Sequence, residues 1–250
     1  MELREFFEKN PKVAIAFSGG VDSAYLLYAA KAHGAEVRAY YVKSPFQPEF
    51  ELEDARRLAR ELSADMVVIP LDVLSDPVIV SNPADRCYHC KKRIFNAICE
   101  AAFKDGFTLI LDGTNASDDP GDRPGMRALR ELSVASPLRD CGLTKADVRR
   151  LSKEAGLFTH DKPAYACLAT RIPTGETITR EKLEITEKAE AYLSSLGFKD
   201  FRIRYFNGSA KLQLTKNDMA KAVDMAHEIN LELKKYYSSV LLDMEVRNEQ

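Results

Sequence analysis

The stretch Ser18-Gly19-Gly20-Val21-Asp22-Ser23 combines residue types that can bind a phosphorylated nucleotide. Two adjacent glycines let backbone N–H groups approach an anion closely. The two serine hydroxyls can donate hydrogen bonds to phosphate, and the carboxylate of Asp22 can hold a magnesium ion. Apolar residues 13–17 precede the stretch and apolar residues 24–30 follow it. This order predicts a strand, a turn and the start of a helix, whose N-terminus adds partial positive charge.

The stretch lacks the Gly-x-x-x-x-Gly-Lys-Ser/Thr pattern of the common phosphate-binding P-loop. It resembles the PP-loop of ATP pyrophosphatases, enzymes that bind the pyrophosphate part of ATP and transfer AMP to a substrate. The resemblance implies that Ser18, Gly19, Gly20, Asp22 and Ser23 contact ATP, with Asp22 as a ligand of Mg²⁺. A serine-capped helix after a strand is the structural alternative.

A second chemical candidate is Cys167, which lies in a loop between Pro163 and Pro173. Arg171 follows it by four residues, and a nearby positive charge favours the reactive thiolate form of a cysteine. The alternative is that Cys167 is a small buried side chain, the common role of an unpaired cysteine.

Cys87 and Cys90 have C-x-x-C spacing. Such a pair is half of a tetrahedral zinc set or part of an iron–sulfur ligand set. A complete site would need Cys167 or Cys141 to be brought close by folding. Packing at the start of a helix explains the pair equally well.

Arginines recur in two segments that could bind an anionic substrate. Arg123, Arg127 and Arg130 are expected in a loop. Arg202 and Arg204 are two residues apart in a predicted strand, which places them on the same face. There they could bind a phosphate or a carboxylate together. A solvated sheet face is the alternative for the second group.

Strand and helix signals alternate through the first part of the chain, which predicts a parallel sheet covered by helices on both faces. Ligands of such sheets bind beyond the carboxyl ends of the strands. The stretch 18–23 and the turn Asp112-Gly113-Thr114-Asn115 both lie at such ends, which indicates one nucleotide pocket. The predicted strands are 13–17, 37–42, 66–71, 108–112 and 133–138, and further helices are expected at 49–63 and 87–103.

The pattern changes after residues 156–175, which look like a linker or an active-site loop. Asn207-Gly208 between two short strand signals predicts a hairpin. The predicted elements are a helix at 179–196, strands at 201–206 and 211–215, a helix at 217–235 and a strand at 239–246. The chain is therefore divided into a nucleotide domain (1–160), an active-site loop (161–177) and a small α+β domain (178–250).

Composition is typical of a globular enzyme. Of the 250 residues, 45% are hydrophobic and 30% are charged. The net charge of −2 argues against broad attraction to nucleic acid. No apolar run approaches membrane-spanning length and no signal peptide is recognisable, so a cytoplasmic protein with five reduced cysteines is expected.

Across nearly its full length the chain resembles the LarE family of ATP-dependent sacrificial sulfur transferases. The resemblance implies an adenine-nucleotide alpha-hydrolase-like (Rossmann-like) fold. The motifs that carry it, in sequence order, are Ser18–Ser23, Arg86-Cys87-Tyr88-His89-Cys90-Lys91, Asp112-Gly113-Thr114-Asn115, Arg123-Pro124-Gly125-Met126-Arg127-Ala128, Ser136-Pro137-Leu138 and Cys167-Leu168-Ala169-Thr170-Arg171-Ile172-Pro173.

The resemblance also implies an activity. ATP with Mg²⁺ would adenylylate a carboxylate of pyridinium-3,5-biscarboxylic acid mononucleotide, which becomes a thiocarboxylate for the nickel-pincer cofactor. Cys167 would supply the sulfur and become dehydroalanine. The resemblance adds Ser44 and Gly113 to the ATP-binding residues. It also implies a homo-oligomer. The implied substrate-binding residues are Arg127, Arg171, Arg202, Arg204 and Glu190.

Other functions stay open at this point. In one, Cys87, Cys90 and Cys167 hold a [4Fe–4S] cluster that delivers the sulfur. A PP-loop amide-forming enzyme similar to NAD synthetase would need no essential thiol, and a tRNA-thiolating enzyme would need an RNA surface. A non-catalytic nucleotide sensor or a zinc-stapled scaffold would not convert ATP to AMP.

Overall fold

The computed structural model describes residues 2–118 and 124–247, which fall into two compact units. Unit 1 comprises Met1–Val73 and Asp85–Lys162, and unit 2 comprises Leu74–Ala84 and Pro163–Gln250. The domain bounds predicted from the sequence place residues 74–84 in the first domain, and these bounds stay a prediction. In the structure, Asn82 and Val80 of this segment accept hydrogen bonds from the backbone N–H groups of Gly175 and Ile178 at 2.8 and 2.9 Å.

The described residues form seven strands and eleven helices. The strands are β1 (Lys12–Ala16), β2 (Glu36–Lys43), β3 (Asp65–Pro70), β4 (Ile110–Leu111), β5 (Arg202–Phe206), β6 (Ser209–Gln213) and β7 (Val240–Leu242). The helices are α1 (Leu3–Lys9), α2 (Val21–Ala32), α3 (Glu49–Glu61), α4 (Pro77–Val80), α5 (Arg86–Lys104), α6 (Pro124–Glu131), α7 (Pro137–Asp140), α8 (Lys145–Glu154), α9 (Arg180–Ser195), α10 (Lys216–Asp224) and α11 (Ala226–Leu233). Short 3₁₀ turns occupy Val73–Ser75, Phe158–Asp161 and Leu168–Arg171.

Unit 1 is built on a parallel sheet with the strand order β3-β2-β1-β4. Strand β1 is central, and its residues alternate between two apolar clusters. Val13 and Ile15 belong to the larger cluster, which also contains residues of α1, α2, α3 and α8. Ala14 belongs to the other cluster, together with Ile98 and Ala102 of α5. This period-two alternation places helices on both faces and confirms the predicted α/β fold.

Two strand predictions at the edge of this sheet need correction. The strand expected at 133–138 is reduced to a single parallel bridge between Ala135 and Leu111. Pro137 then begins helix α7, because proline lacks the N–H that a further strand residue would donate. The strand expected at 108–112 is limited to β4.

Unit 2 contains a small three-stranded sheet with the order β5-β6-β7, which confirms the predicted α+β region. Strands β5 and β6 form an antiparallel hairpin that closes with the pair Phe206 and Ser209. Asn207 and Gly208 have φ values of 48° and 79°, the left-handed conformation that a tight two-residue hairpin needs. The helix expected at 217–235 is instead two helices, α10 and α11, which meet at Met225.

Among the described residues, no helix combines the length and the apolar character needed to cross a membrane.

Candidate functional site

The loop between β1 and α2 is held in shape by its two serines. The hydroxyl oxygens of Ser18 and Ser23 lie 3.1 Å apart. The backbone N–H of Ser18 donates to Oγ of Ser23 at 3.2 Å, and that of Gly20 donates to Oγ of Ser18 at 3.3 Å. Gly20 is the N-cap of α2 and has an extended backbone. The loop therefore places its hydroxyls and N–H groups at the positive end of a twelve-residue helix.

Two features of the backbone favour glycine at position 19. Its φ is +73°, in the left-handed region that disfavours a side chain. A Cβ at this position would also lie 3.1 Å from Cβ of Ala55 and 3.3 Å from its Cα. The loop thus rests directly on helix α3.

The turn after β4 packs against the first turn of α2. A Cβ on Gly113 would lie 2.8 Å from the backbone nitrogen of Ser23, closer than any side chain can come. The buried carboxylate of Asp112 fixes this turn by accepting hydrogen bonds from Oγ of Ser136 at 2.6 Å and from the hydroxyl of Thr114. The structure therefore brings the two predicted nucleotide-binding turns together, and Gly113 is the point of contact.

Asp22 is contacted by Lys145, which the sequence analysis did not assign to the site, and by Asn115 of the second predicted turn. Lys145, at the start of α8, places Nζ 2.5 Å from Oδ2 of Asp22. Asn115 donates Nδ2 to Oδ1 at 3.2 Å. Carboxylate oxygens are ligands that Mg²⁺ prefers, so Asp22 is suited to hold this ion. Asn115 lies in a motif that marks the turn, whereas nothing in the sequence around Lys145 points to this loop.

Ser44 follows β2 and is buried. Its hydroxyl donates to Oε1 of Gln47 at 2.7 Å, and its backbone N–H donates to the same oxygen at 3.0 Å. The hydroxyl also accepts a hydrogen bond from the backbone N–H of Phe46 at 3.2 Å. Ser44 therefore shapes the turn after β2, and its contact with ATP stays a prediction.

Arg171 and Glu190 form a buried ion pair in unit 2. Arg171 is the last residue of the segment 163–171, which is called the cysteine loop because it carries Cys167. The side chains of the pair are 0% and 6% exposed. Arg171 donates Nε to Oε1 of Glu190 at 2.7 Å and a terminal nitrogen to Oε2 at 3.0 Å. Burial lowers the pKa of Arg171, but the hydrogen bonds and the negative charge of Glu190 outweigh this effect and raise the pKa. The guanidinium therefore remains charged and engaged with Glu190.

Arg171 also holds the backbone around Cys167. Its second terminal nitrogen donates to the carbonyl of Ala166 at 2.8 Å, to that of Cys167 at 3.4 Å and to the hydroxyl of Thr170 at 2.8 Å. The backbone N–H of Thr170 donates to the carbonyl of Cys167 at 2.9 Å. Cys167 itself is half-buried. The conformation of the cysteine loop thus depends directly on Arg171.

The two arginines of β5 reach the same loop. Arg202 donates to the carbonyl of Ala164, and Arg204 donates to the carbonyl of Thr170, both at 2.6 Å. Arg204 also donates Nε to Oε1 of Gln213 at 2.6 Å. Burial lowers the pKa of both arginines, and the positive charges of neighbouring arginines lower it further. Positive charge is therefore concentrated beside the cysteine loop.

Glu190 balances part of this positive charge and joins three elements. Besides Arg171, it accepts a hydrogen bond from the hydroxyl of Tyr165 at 2.6 Å and from the backbone N–H of Ile203 at 2.9 Å. The guanidinium groups of Arg171 and Arg202 lie 4.7 and 5.2 Å from the centre of the Tyr165 ring. Tyr165 is a member of this network that the sequence analysis missed.

Comparison with known proteins identifies the family. The pyridinium-3,5-bisthiocarboxylic acid mononucleotide synthase of Lactiplantibacillus plantarum is 33% identical over 236 residues, which cover 93% of this chain and 86% of that protein. The chain belongs to the LarE family. This membership confirms the resemblance seen in the motifs and makes the protein an ATP-dependent sulfurtransferase with a PP-loop.

The chain is also similar to other proteins. An uncharacterised protein of Synechocystis is 35% identical over 222 residues, 88% of this chain and 83% of that protein. The tRNA-specific 2-thiouridylase MnmA of a Thermotoga strain is 26% identical over 194 residues, 60% of this chain and 54% of that protein. The family model described as queuosine biosynthesis protein QueC matches residues 12–92, which contain the PP-loop.

One predicted substrate residue of this LarE family member lies in a helix rather than in the expected loop. Arg127 and Arg130 are in α6, and Arg123 lies outside the described residues. The exposed guanidinium of Arg127 lies 3.7 Å from the centre of the Tyr88 ring, and its Nε lies 3.2 Å from a carboxylate oxygen of Glu131. Arg127 thus ties α6 to α5, and its contact with substrate stays a prediction.

The C-x-x-C pair lies in the first turns of α5, with Cys87 exposed and Cys90 buried. None of the five cysteines forms a disulfide. Burial raises the pKa of Cys99 and of Cys141, which keeps these thiols protonated. Within residues 2–118 and 124–247, no group of three or more His, Cys, Asp or Glu side chains could hold a metal ion. Cys87 and Cys90 lie in unit 1 and Cys167 lies in unit 2, so a cluster held by these three cysteines stays a prediction.

Proposed function

We propose that this enzyme converts a carboxylate of pyridinium-3,5-biscarboxylic acid mononucleotide to a thiocarboxylate, as a step towards the nickel-pincer cofactor. The sequence relationship to the L. plantarum synthase carries this proposal, because it extends over 93% of the chain. The substrate is a small nucleotide-like molecule with a phosphate and two carboxylates.

The first step is adenylylation. A carboxylate is a poor acylating agent because its leaving group would be an oxide, so an oxygen of the substrate carboxylate attacks the α-phosphorus of ATP and pyrophosphate leaves. Ser18, Ser23 and the backbone N–H groups of the loop would hold the pyrophosphate. Asp22 would hold Mg²⁺, which supplies positive charge to the leaving phosphates.

Sulfur transfer follows on the acyl-adenylate. The thiolate of Cys167 attacks the activated carbonyl carbon, and AMP departs with the electron pair of the C–O bond, which leaves a thioester. A base then removes the Cα proton of Cys167. The electron pair forms the Cα–Cβ double bond, the Cβ–S bond breaks, and sulfur leaves as the thiocarboxylate. The enzyme retains dehydroalanine at position 167 and turns over once.

The surroundings of Cys167 support this role. The backbone carbonyls of the cysteine loop accept hydrogen bonds from three guanidinium groups, those of Arg171, Arg202 and Arg204. Positive charge near a cysteine favours the thiolate form, which the reaction needs. Arg202 and Arg204 would also donate hydrogen bonds to the substrate phosphate, and Arg127 would donate to a substrate carboxylate. Glu190 would keep Arg171 in place.

The test is mass spectrometry of the intact protein after incubation with ATP, Mg²⁺ and the pyridinium mononucleotide. The protein is expected to lose the mass of hydrogen sulfide, at Cys167, in proportion to the amount of thiocarboxylate formed. Cys141→Ala is the matched control, because it also removes one thiol and should leave the product yield unchanged. Cys167→Ala should form AMP and pyrophosphate slowly, without thiocarboxylate.

Other outcomes would contradict parts of the proposal. Thiocarboxylate formed while Cys167 stays intact, with iron and sulfide bound to the purified protein, would assign the sulfur to a cluster. Amide formation from ammonia by Cys167→Ala would indicate an NAD synthetase-like enzyme, and retention of tRNA on filters at moderate salt would indicate a tRNA-thiolating enzyme. A homo-oligomer and a cytoplasmic location remain predictions from the sequence.

A further inference from the structure

Helix α5 carries two cysteines in its first turns, Cys87, which is exposed, and Cys90, which is buried. Residues three apart in an α-helix lie on the same side, and helical geometry places their Cα atoms about 5 Å apart. A disulfide joins cysteines whose Cα atoms are about 4.4–6.8 Å apart. The spacing of Cys87 and Cys90 therefore permits a bridge within one turn of the helix.

The turn that carries both thiols is held in place by its neighbours. Tyr88, between the two cysteines, is buried, and its hydroxyl donates to a carboxylate oxygen of Glu131 in α6 at 2.8 Å. The backbone N–H of Tyr88 donates to the carbonyl of Asp85 at 2.8 Å. Bringing the two thiols together therefore costs little backbone entropy, because the helix already fixes the residues that carry them.

Cys87 has the surroundings of a reacting thiol. A terminal nitrogen of Arg86 donates to its Sγ at 3.7 Å. Cys87 also lies in the first turn of a nineteen-residue helix, whose dipole places partial positive charge at that end. Positive charge and hydrogen-bond donors near a cysteine favour the thiolate, which is the form that attacks a disulfide.

Cys90 occupies the complementary position. Its burial keeps solutes away from the thiol, whereas Cys87 lies one helical turn before it. An exposed thiol beside a second, resolving thiol is the arrangement found in cysteines that are oxidised reversibly. Cys99, further along α5, differs, because burial raises the pKa of its thiol and no cysteine lies one turn away.

We propose that Cys87 and Cys90 form a thiol–disulfide exchange site for low-molecular-weight disulfides. The thiolate of Cys87 attacks one sulfur of the disulfide, forms a mixed disulfide and releases the first thiolate, which takes up a proton. The thiolate of Cys90 then attacks Sγ of Cys87, and the second thiolate leaves. Two protein thiols are thereby oxidised to one bridge, and the external disulfide is reduced to two thiols. This exchange depends neither on Cys167 nor on the carboxylate substrate.

The experiment is mass spectrometry of the full-length chain after equilibration in mixtures of reduced and oxidised glutathione, with the remaining thiols blocked by N-ethylmaleimide. Trypsin cleaves after Arg86 and Lys91, so both cysteines fall in one peptide, residues 87–91. In oxidising mixtures this peptide is expected to lose two hydrogens and to take up no maleimide. Excess reduced glutathione should restore two thiols that the maleimide then blocks.

Single variants separate the roles of the two thiols. Cys90→Ser should accumulate a mixed disulfide of glutathione on Cys87, because no second thiol then displaces the glutathione. In Cys87→Ser, the buried Cys90 should form its mixed disulfide about tenfold more slowly or slower still, because reaction requires access to the thiol. Cys99→Ala is the control, because it removes a thiol of the same helix and should leave bridge formation unchanged.

Several results would overturn the inference. Cys87 that stays unmodified in oxidising mixtures, or that keeps its glutathione in the unaltered protein, would show that the pair does not exchange. Equal rates for Cys87 and Cys90 in the single variants would contradict the division of roles. Purified protein that retains iron and sulfide while both cysteines resist maleimide would make them cluster ligands instead. Failure of sulfur transfer to the carboxylate substrate, in contrast, would leave the exchange site untouched.

Discussion

At the scale of single residues, the conformation of the cysteine loop depends on one buried ion pair. Arg171 and Glu190 are both buried. Removing charged groups from water is costly, and the cost is offset only if the partners match in geometry and in number of hydrogen bonds. The two-point contact of Arg171 with Glu190 meets this condition. Arg171 is therefore expected to position Cys167 rather than to act as an exposed substrate contact.

Replacing Arg171 tests the pair. Arg171→Met should lower the free energy of unfolding by about 3–5 kcal/mol, because it leaves the carboxylate of Glu190 buried without its cation. The double variant Arg171→Met/Glu190→Leu should lose less than the sum of the two single variants. Urea unfolding followed by circular dichroism measures these differences. Arg4→Met, which breaks an exposed pair with Glu8, should cost less than about 1 kcal/mol. Strictly additive losses in the double variant would contradict a coupled pair.

At the scale of secondary-structure elements, the nucleotide site is formed by turns that pack on one another. The turn after β4 lies against the first turn of α2, and the start of α8 is tied to the turn after β4 by Ser117. Each contact joins segments at the carboxyl edge of the parallel sheet, where three connections converge. The turn after β4 therefore supports the PP-loop by close backbone packing. At Gly113 this packing leaves no space for a side chain.

Gly113→Ala tests this close packing. The new Cβ would meet the backbone nitrogen of Ser23 at 2.8 Å, and a backbone atom of a helix cannot move aside easily. We expect a loss of about 1–3 kcal/mol in the free energy of unfolding and weaker binding of α,β-methylene-ATP. Gly34→Ala is the control: a Cβ there meets nothing within 4 Å, so only the strain of its positive φ is added. An unchanged nucleotide affinity in Gly113→Ala would show that the turn does not support the loop.

At the scale of the whole molecule, the PP-loop and the proposed sulfur-transfer site lie in different compact units. The PP-loop belongs to unit 1, and the cysteine loop belongs to unit 2. Each unit has its own apolar core, around β1 and β2 in the first and around β5 and β6 in the second. Nucleotide binding is therefore expected to stabilise unit 1 directly.

Ligand addition measures this effect. At a concentration about 100 times its Kd, α,β-methylene-ATP with Mg²⁺ should add up to about 2.7 kcal/mol to the stability of the state that binds it. Hydrogen exchange should slow at the N-terminal turn of α2 and in residues 112–118. Removal of the nucleotide by dialysis should reverse both effects. Protection confined to unit 2 would place the nucleotide elsewhere and contradict the assignment of the PP-loop.

Much of the fold could be predicted because its signals are local. The apolar runs of β1, β2 and β3 predict buried parallel strands, and the hairpin follows from Asn207-Gly208. The errors arose where a local signal competed with a stronger constraint. Residues 133–138 are apolar enough for a strand, yet Pro137 begins a helix and only Ala135 bridges to the sheet.

The amino-acid sequence by itself determined the PP-loop, the alternation of strands and helices around it, and the presence of a cysteine between two prolines. These features depend on residue types and on periodicities that span only a few neighbours. Only the tertiary structure decided that Lys145 meets Asp22, that Gly113 rests on the start of α2, and that Arg171 binds Glu190 and the cysteine loop at once. Such contacts join residues far apart in the chain, and the order of the strands and the path of each connection determine which side chains meet.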